Sequence, residues 1–158
     1  QTCALPICAG EVDGTDYHFL SDADFVARVA RGEFAEWAMV HDRRYGTLRS
    51  EVQRGLDAGR YVLMDIDVQG AENVRRRIPE SLMVFVLPPN EEELLKRLRA
   101  RGREDEAAIE RRFAESKKEI DRATRGSTFD AFVVNDSLPL AIEEVAAIVA
   151  GRLARNER

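Results

Sequence analysis

Several protein classes are excluded by what this sequence lacks. No apolar run approaches the roughly 20 residues that a membrane helix needs, and the longest candidate, Leu140 to Val149, carries Glu143 and Glu144 and reads as amphipathic. Cysteine occurs only at Cys3 and Cys8. Past those two positions neither a disulfide framework nor a thiolate metal site can be built, which suits a reducing cytoplasm. Excess basic charge is missing as well. The formal net charge is −5, whereas a protein that wraps nucleic acid needs a basic face. Lysine is confined to Lys96, Lys117 and Lys118, and no glycine loop precedes any of them. Repeats, low-complexity tracts and flexible linkers are absent too.

What remains is 158 residues, 44% hydrophobic and 34% charged, which is the composition and length of one globular domain. The opening Gln1-Thr2-Cys3-Ala4-Leu5-Pro6-Ile7 reads like a translated sequencing adapter and joins abruptly to the residues after it. The expectation is that residues 1–8 are a non-native tail, to be left out of fold reasoning; the alternative is a genuine irregular N-terminal tail.

From residue 13 the pattern is short strands around one helix. Tyr17-His18-Phe19 reads as a brief β segment. Ser21 is a good N-cap for a helix to about Ala30, with Asp22 and Asp24 in its first turn and Gly32 past its end. Glu33 to Val40, with Phe34, Trp37 and Val40 apolar, adds strand, and Leu48 to Asp57 reads as helix ended by Gly59. The strongest core signal is Tyr61-Val62-Leu63-Met64-Asp65-Ile66, expected to be a parallel strand buried on both faces. Two more apolar runs, Leu82–Leu87 and Ala131–Val134, predict further strands. Helices are predicted over Gln69–Arg77, Glu91–Ala100, Glu104 to about Ala123, and Leu138–Leu153. Strands alternating with helices predict an α/β three-layer core with ligands beyond the carboxyl ends of the strands, where Asp65, Asp67 and Asn135 fall. The run Arg75-Arg76-Arg77 reads as the solvated end of a helix, favoured there by the helix dipole.

Six segments, in order, resemble guanylate kinases: Gly10 to Phe19; Glu33-Phe34-Ala35-Glu36-Trp37-Ala38; Tyr45-Gly46-Thr47; Asp65-Ile66-Asp67-Val68-Gln69-Gly70; Arg97 to Gly102; and Val133-Val134-Asn135-Asp136. The resemblance implies a P-loop kinase-like parallel sheet flanked by helices, with a small mixed GMP-binding region and a helical lid. It divides one domain into a GMP-binding region at 9–50, core at 51–90 and 124–158, and a lid at 91–123. One departure is large. The family's glycine-rich phosphate loop, G-x-x-x-x-G-K-[ST], and the first strand that leads to it have no counterpart in these residues, nor do the Ser and Arg contacts to the GMP phosphate that come after the loop. The break coincides with the adapter-like stretch, so a truncated parent protein is expected, and the fragment itself is expected to be inactive. Arg103, where many members carry Thr, is a smaller departure.

The resemblance gives each residue a task. Glu36 would accept both guanine donors, N1–H and the exocyclic amine, with Thr47 serving the base; adenine would leave that carboxylate facing a lone pair. Without the resemblance, Glu36 reads as a surface glutamate before a packed Trp37. Tyr17 and Tyr45 would donate to the GMP phosphate, with Gly46 letting the backbone come close to the ligand; a tyrosine in a short β segment otherwise reads as packing. Asp65 is assigned to Mg²⁺, through water, and Asp67 to GMP, an allocation that is reversible, and either residue could simply cap the next turn. Arg97 and Arg101, four apart on one helix face, with Arg112 beyond them, would clamp phosphate oxygens of ATP and GMP during transfer. Composition alone reads them as part of a salt-bridged helical pair. Asn135 would contact adenine, or merely end a strand. His18 and His41 read as structural.

The implied activity is transfer of the ATP γ-phosphoryl group to GMP with Mg²⁺, giving GDP and ADP. The expected partners are GMP and ATP, with no nucleic acid or membrane, in the cytoplasm. Two rivals stand beside it: a guanylate kinase-like binding module that has lost catalysis, and a related small-molecule phosphokinase on the same scaffold.

Overall fold

The computed structural model describes residues 2–3, 12–15, 17–40, 43–100 and 105–156. Arg101 and His41 lie outside them. The chain divides into two compact units, residues 1–79 and 80–158.

In the first unit, strands β1 (Thr2–Cys3) and β2 (His18–Phe19) lead to helix α1 (Asp22–Ala30). Strands β3 (Phe34–Val40) and β4 (Arg43–Leu48) come next, then helices α2 (Arg49–Asp57) and α3 (Val68–Arg77). The start and stop signals of α1 act as read: the Ser21 hydroxyl accepts from the Asp24 N–H at 3.1 Å, and Gly32 takes φ +68°. The strands form one sheet in the order β2-β1-β4-β3. β1 lies parallel to β2 and antiparallel to β4. Of the tail expected at residues 1–8, only Thr2 and Cys3 are described, and they pair in this sheet; residues 1 and 4–8 lie outside the described residues. Ladder hydrogen bonds come from the backbone, so a two-residue segment can bridge two strands whatever its side chains.

The β3–β4 pairing has one irregularity that shapes everything around it. Phe34 faces Leu48 and Glu36 faces Thr47, so two steps on β3 match one step on β4. This is a β-bulge at Ala35. In a regular strand Phe34 and Glu36, two apart, would share a face. Here they face opposite ways, because their partners Leu48 and Thr47 are consecutive. Phe34, Trp37, Gly46 and Leu48 fall on one face. Phe34 stacks on the Phe25 ring of α1 at 4.4 Å between centroids, with Trp37 and Leu48 packed against the pair. Glu36, Ala38, Tyr45 and Thr47 fall on the other face. The loose spacing of apolar residues in 34–40 is therefore the trace of a bulge.

The second unit holds β5 (Val84–Leu87), helices α4 (Glu91–Ala100) and α5 (Glu106–Arg125), β6 (Ala131–Val134) and helix α6 (Leu138–Asn156). β5 and β6 pair in parallel from Val84↔Ala131 to Leu87↔Val134. The Asp130 carboxylate accepts from the Met83 N–H at 2.8 Å, fixing where β5 begins. Val133 is fully buried. The α/β class with parallel strands holds.

One expected strand does not form. Tyr61 to Ile66 is outside any ladder, with Tyr61 77% and Leu63 95% exposed. A strand buried on both faces needs a bonded neighbour on each edge and a layer on each face. Among the described residues no strand pairs with this segment.

Candidate functional site

Glu36 is the unusual residue of the first unit: a glutamate only 4% exposed, on an edge strand. Buried carboxylates need hydrogen bonds. The hydroxyl of Thr47, itself 8% exposed, donates to Glu36 Oε1 at 2.9 Å, and the Thr47 backbone N–H also bonds the carboxylate. Burial pushes the Glu36 carboxyl above the ordinary carboxylate value, and the nearby Asp67 charge adds to that rise. The Thr47 hydrogen bonds and the Arg77 charge pull the other way.

The second carboxylate oxygen faces α3. A methyl group built on Gly70 would sit 2.9 Å from Glu36 Oε2 and 3.1 Å from Asp67 Oδ1. Only a residue without a side chain leaves that oxygen its room. Asp67 is the N-cap of α3 and accepts from the Gly70 N–H at 2.7 Å. The capping role open to this aspartate on sequence grounds is thus present, on the carboxylate that also shifts Glu36. Asp65 is exposed, two residues earlier, in irregular backbone rather than at a strand end.

Tyr17 and Tyr45 come together, ring centroids 6.0 Å apart and edge to face. Tyr45 shares the Glu36 face through the β4 alternation. Gly46 has a packing reason beside the one read in the sequence. A Cβ there would lie 2.7 Å from the Phe34 ring and 2.8 Å from the Glu36 carbonyl oxygen. Its bareness makes room for the aromatic cluster on the face away from Glu36.

In the second unit, Arg97 and Asn135 are brought together. Arg97 Nη1 donates to the Asn135 carbonyl oxygen at 2.8 Å, while its Nε donates to Glu93 at 2.9 Å. Arg112 is half-buried on α5. Helices α4 and α5 carry the ion pairs expected from their composition: Lys96–Glu93, Arg99–Glu106, Lys117–Glu91 and Arg125–Asp121.

Sequence reasoning missed three contributors. Gly70 stands in the sequence as one residue of a motif; its spacing three after Asp67, at a capped helix start, was the available signal. Asn73 and Arg77 on α3 look like ordinary helix surface. Yet Asn73 Nδ2 donates to the Trp37 carbonyl at 3.3 Å, and Arg77 Nη1 donates to the Ala35 and Phe34 carbonyls at 2.7 and 3.2 Å. Among the described residues no group of three or more His, Cys, Asp or Glu could hold a metal ion, and no helix is long and apolar enough to cross a membrane.

Comparison with known proteins places this arrangement. The guanylate kinase family model matches residues 2–151. The guanylate kinase of Symbiobacterium thermophilum is 44% identical over 149 residues, covering 94% of this chain and 69% of its own length. That of Nitratidesulfovibrio vulgaris is 49% identical, covering 87% and 65%. The crystal structure of guanylate kinase from Anaplasma phagocytophilum superposes with a TM-score of 0.78 at 25% identity, over 95% of this chain and 72% of that one. The chain thus spans about two thirds of the length of these relatives. With a buried glutamate–threonine pair set in matching sequence over almost its whole length, the chain belongs to the guanylate kinase family.

Proposed function

We propose that this chain carries the GMP-reading part of a phosphotransferase that moves the γ-phosphoryl group of ATP to GMP, giving GDP and ADP. The buried Glu36–Thr47 pair is the observation that supports this reading most. A glutamate kept from water and hydrogen-bonded to a hydroxyl is a costly arrangement for stability alone. It suits a base edge with two adjacent donors beside one acceptor. The Glu36 carboxylate accepts N1–H and the exocyclic amine of guanine, while the Thr47 hydroxyl, whose one proton goes to Glu36 Oε1 in the unliganded chain, turns to serve the base. Tyr17 and Tyr45 donate their phenolic hydrogens to the GMP phosphate and hold it for in-line attack. Asp67, beside Glu36, adds to the field around the guanine amine.

Arg97, Arg101 and Arg112 neutralise charge on the transferring phosphoryl group, and Asn135 meets the adenine of ATP. Phosphoryl transfer asks a protein mainly for such positioning and charge. The donor chemistry fits magnesium held chiefly by phosphates and water: Asp65 offers one exposed hard oxygen donor, and no protein cage is built among the described residues. Bound with ATP, Mg²⁺ supplies charge neutralisation between the β- and γ-phosphates. A cytoplasmic setting agrees with this chemistry.

The 158 residues hold no G-x-x-x-x-G-K-[ST] loop, so binding of GMP and turnover are separable here. Calorimetry of GMP against a non-nucleotide phosphate tests the first; equal binding would overturn the reading. In a coupled assay, turnover by this chain is expected to fall at least about three orders of magnitude below an intact guanylate kinase. Comparable turnover would contradict that expectation. A second reading is a binding module that keeps the fold alone, but such a module has no use for a buried carboxylate.

A further inference from the structure

Glu36 faces α3 only because β3 is bulged at Ala35, and a bulge exposes carbonyls that the ladder no longer uses. β3 ends the sheet order, so among the described residues no strand lies along its outer edge. Side chains cover that edge instead. Arg77 Nη1 donates to the carbonyls of Ala35, the bulged residue, at 2.7 Å and of Phe34 at 3.2 Å. Arg49 Nε donates to the same Phe34 carbonyl at 3.0 Å from the first turn of α2. One residue beyond Glu36, the Trp37 carbonyl accepts from Asn73 Nδ2 at 3.3 Å. Asn73 and Arg77 lie four apart, so they stand on one face of α3. The helix whose start holds Gly70 and Asp67 against the Glu36 carboxylate therefore also grips the backbone on both sides of Glu36.

We propose that Arg77, with Asn73, is a specificity-positioning residue: it clamps the β3 bulge and so keeps the Glu36 carboxylate turned toward the base of the bound nucleotide. Neither residue touches the nucleotide. Both act through the backbone that fixes the direction of Glu36. The inference rests on the reading of Glu36 as the guanine acceptor. It explains why a short helix spends two long polar side chains on main-chain oxygens rather than on water. Arg77 stays exposed at the end of the helix, yet its Nη1 is committed to two backbone carbonyls.

The test compares the 158-residue chain with R77A, R77K and N73A. It uses GMP and IMP as probes, IMP lacking the exocyclic amine, and NMR three-bond couplings that report the Glu36 χ1 rotamer without ligand. For R77A the expectation is about tenfold weaker GMP binding, a GMP-to-IMP preference that collapses toward unity, and rotamer averaging at Glu36. Partial recovery is expected in R77K, since an ammonium can donate to the two carbonyls that Nη1 serves but lacks the fixed planar geometry of the guanidinium, and a smaller change in N73A. In an E36Q background R77A should change GMP affinity no further. If R77A lowers the melting temperature but leaves the rotamer and the GMP-to-IMP ratio unchanged, Arg77 is only structural and the proposal falls. Should R77A fail to fold, R77K and N73A decide it by the same two readouts. If the unmodified chain binds no GMP while Glu36 still averages in the variants, the clamp stands and the guanine reading fails.

Discussion

The two units of this chain treat charge in opposite ways. In the first, one carboxylate is withdrawn from water and every part of its surroundings is fitted to it: Thr47 on Oε1, a bare Gly70 at Oε2, and α3 gripping the strand that carries it. Among the described residues no buried side-chain polar atom lacks a partner. In the second, charges are many, exposed and paired with one another along α4 and α5. Its sheet shows Val86 at 51%, Phe132 at 39% and Val134 at 48% exposure. The contrast agrees with the tasks proposed. Telling one base edge from another needs a few groups held still in low dielectric, where a mismatch leaves a buried group unpaired. Meeting several phosphates needs many permanent charges that can exchange partners.

Breaking the first unit at its centre gives the largest expected effect. Glu36→Gln places an amide donor opposite guanine donors. GMP affinity should fall by about a hundredfold, with the ATP side untouched, as competition binding would measure. Gly70→Ala comes next. The added methyl meets Glu36 Oε2 and Asp67 Oδ1, so about 1–3 kcal/mol of overpacking strain is expected in chemical denaturation, together with weaker GMP binding.

Acid sharpens the comparison. The Glu36 carboxyl titrates above the ordinary carboxylate value because it is buried, so its ionised form is disfavoured in the fold. Its own contribution to the stability of the unliganded chain is therefore larger at low pH and declines as pH rises from the unfolded to the folded value. GMP binding runs the other way, since the protonated acid loses an acceptor site, and should weaken as pH falls through the raised value. Glu33 and Glu93, lowered by hydrogen bonds from Arg31 and from Arg97 and Lys96, carry the opposite sign. Their contributions are present above the unfolded carboxylate value and are lost as pH falls through the lowered one. The difference between the unmodified chain and Glu36→Gln across pH isolates Glu36. The smallest effect belongs to the second unit. Lys117→Ala, which removes an exposed pair with Glu91, should change stability by no more than about 0.5 kcal/mol in denaturant melts.

Much of this was legible in the sequence where local chemistry settles the outcome. The Ser21 cap and the turns at Gly32 and Gly59 rest on neighbours in the chain, and the apolar runs at 84–87 and 131–134 read correctly because each has the other as its parallel partner. Tyr61 to Ile66 failed because burial is a property of what surrounds a strand, and an apolar run carries no record of whether its partners are in place. Glu36 and Thr47 could be singled out by resemblance, but not their burial, which depends on the Ala35 bulge. Arg77 is hard to read because a sequence shows its charge and not the carbonyls forty residues away that it serves. Gly46 suggests a close ligand in the sequence, but the room it leaves for the Phe34 ring is not legible there.

The most direct measurement is calorimetric titration of the 158-residue chain with GMP and with AMP at neutral pH. GMP is expected to bind at least about a hundredfold more tightly than AMP. Equal affinities would mean that the buried Glu36–Thr47 pair does not read the base, and would contradict the central claim.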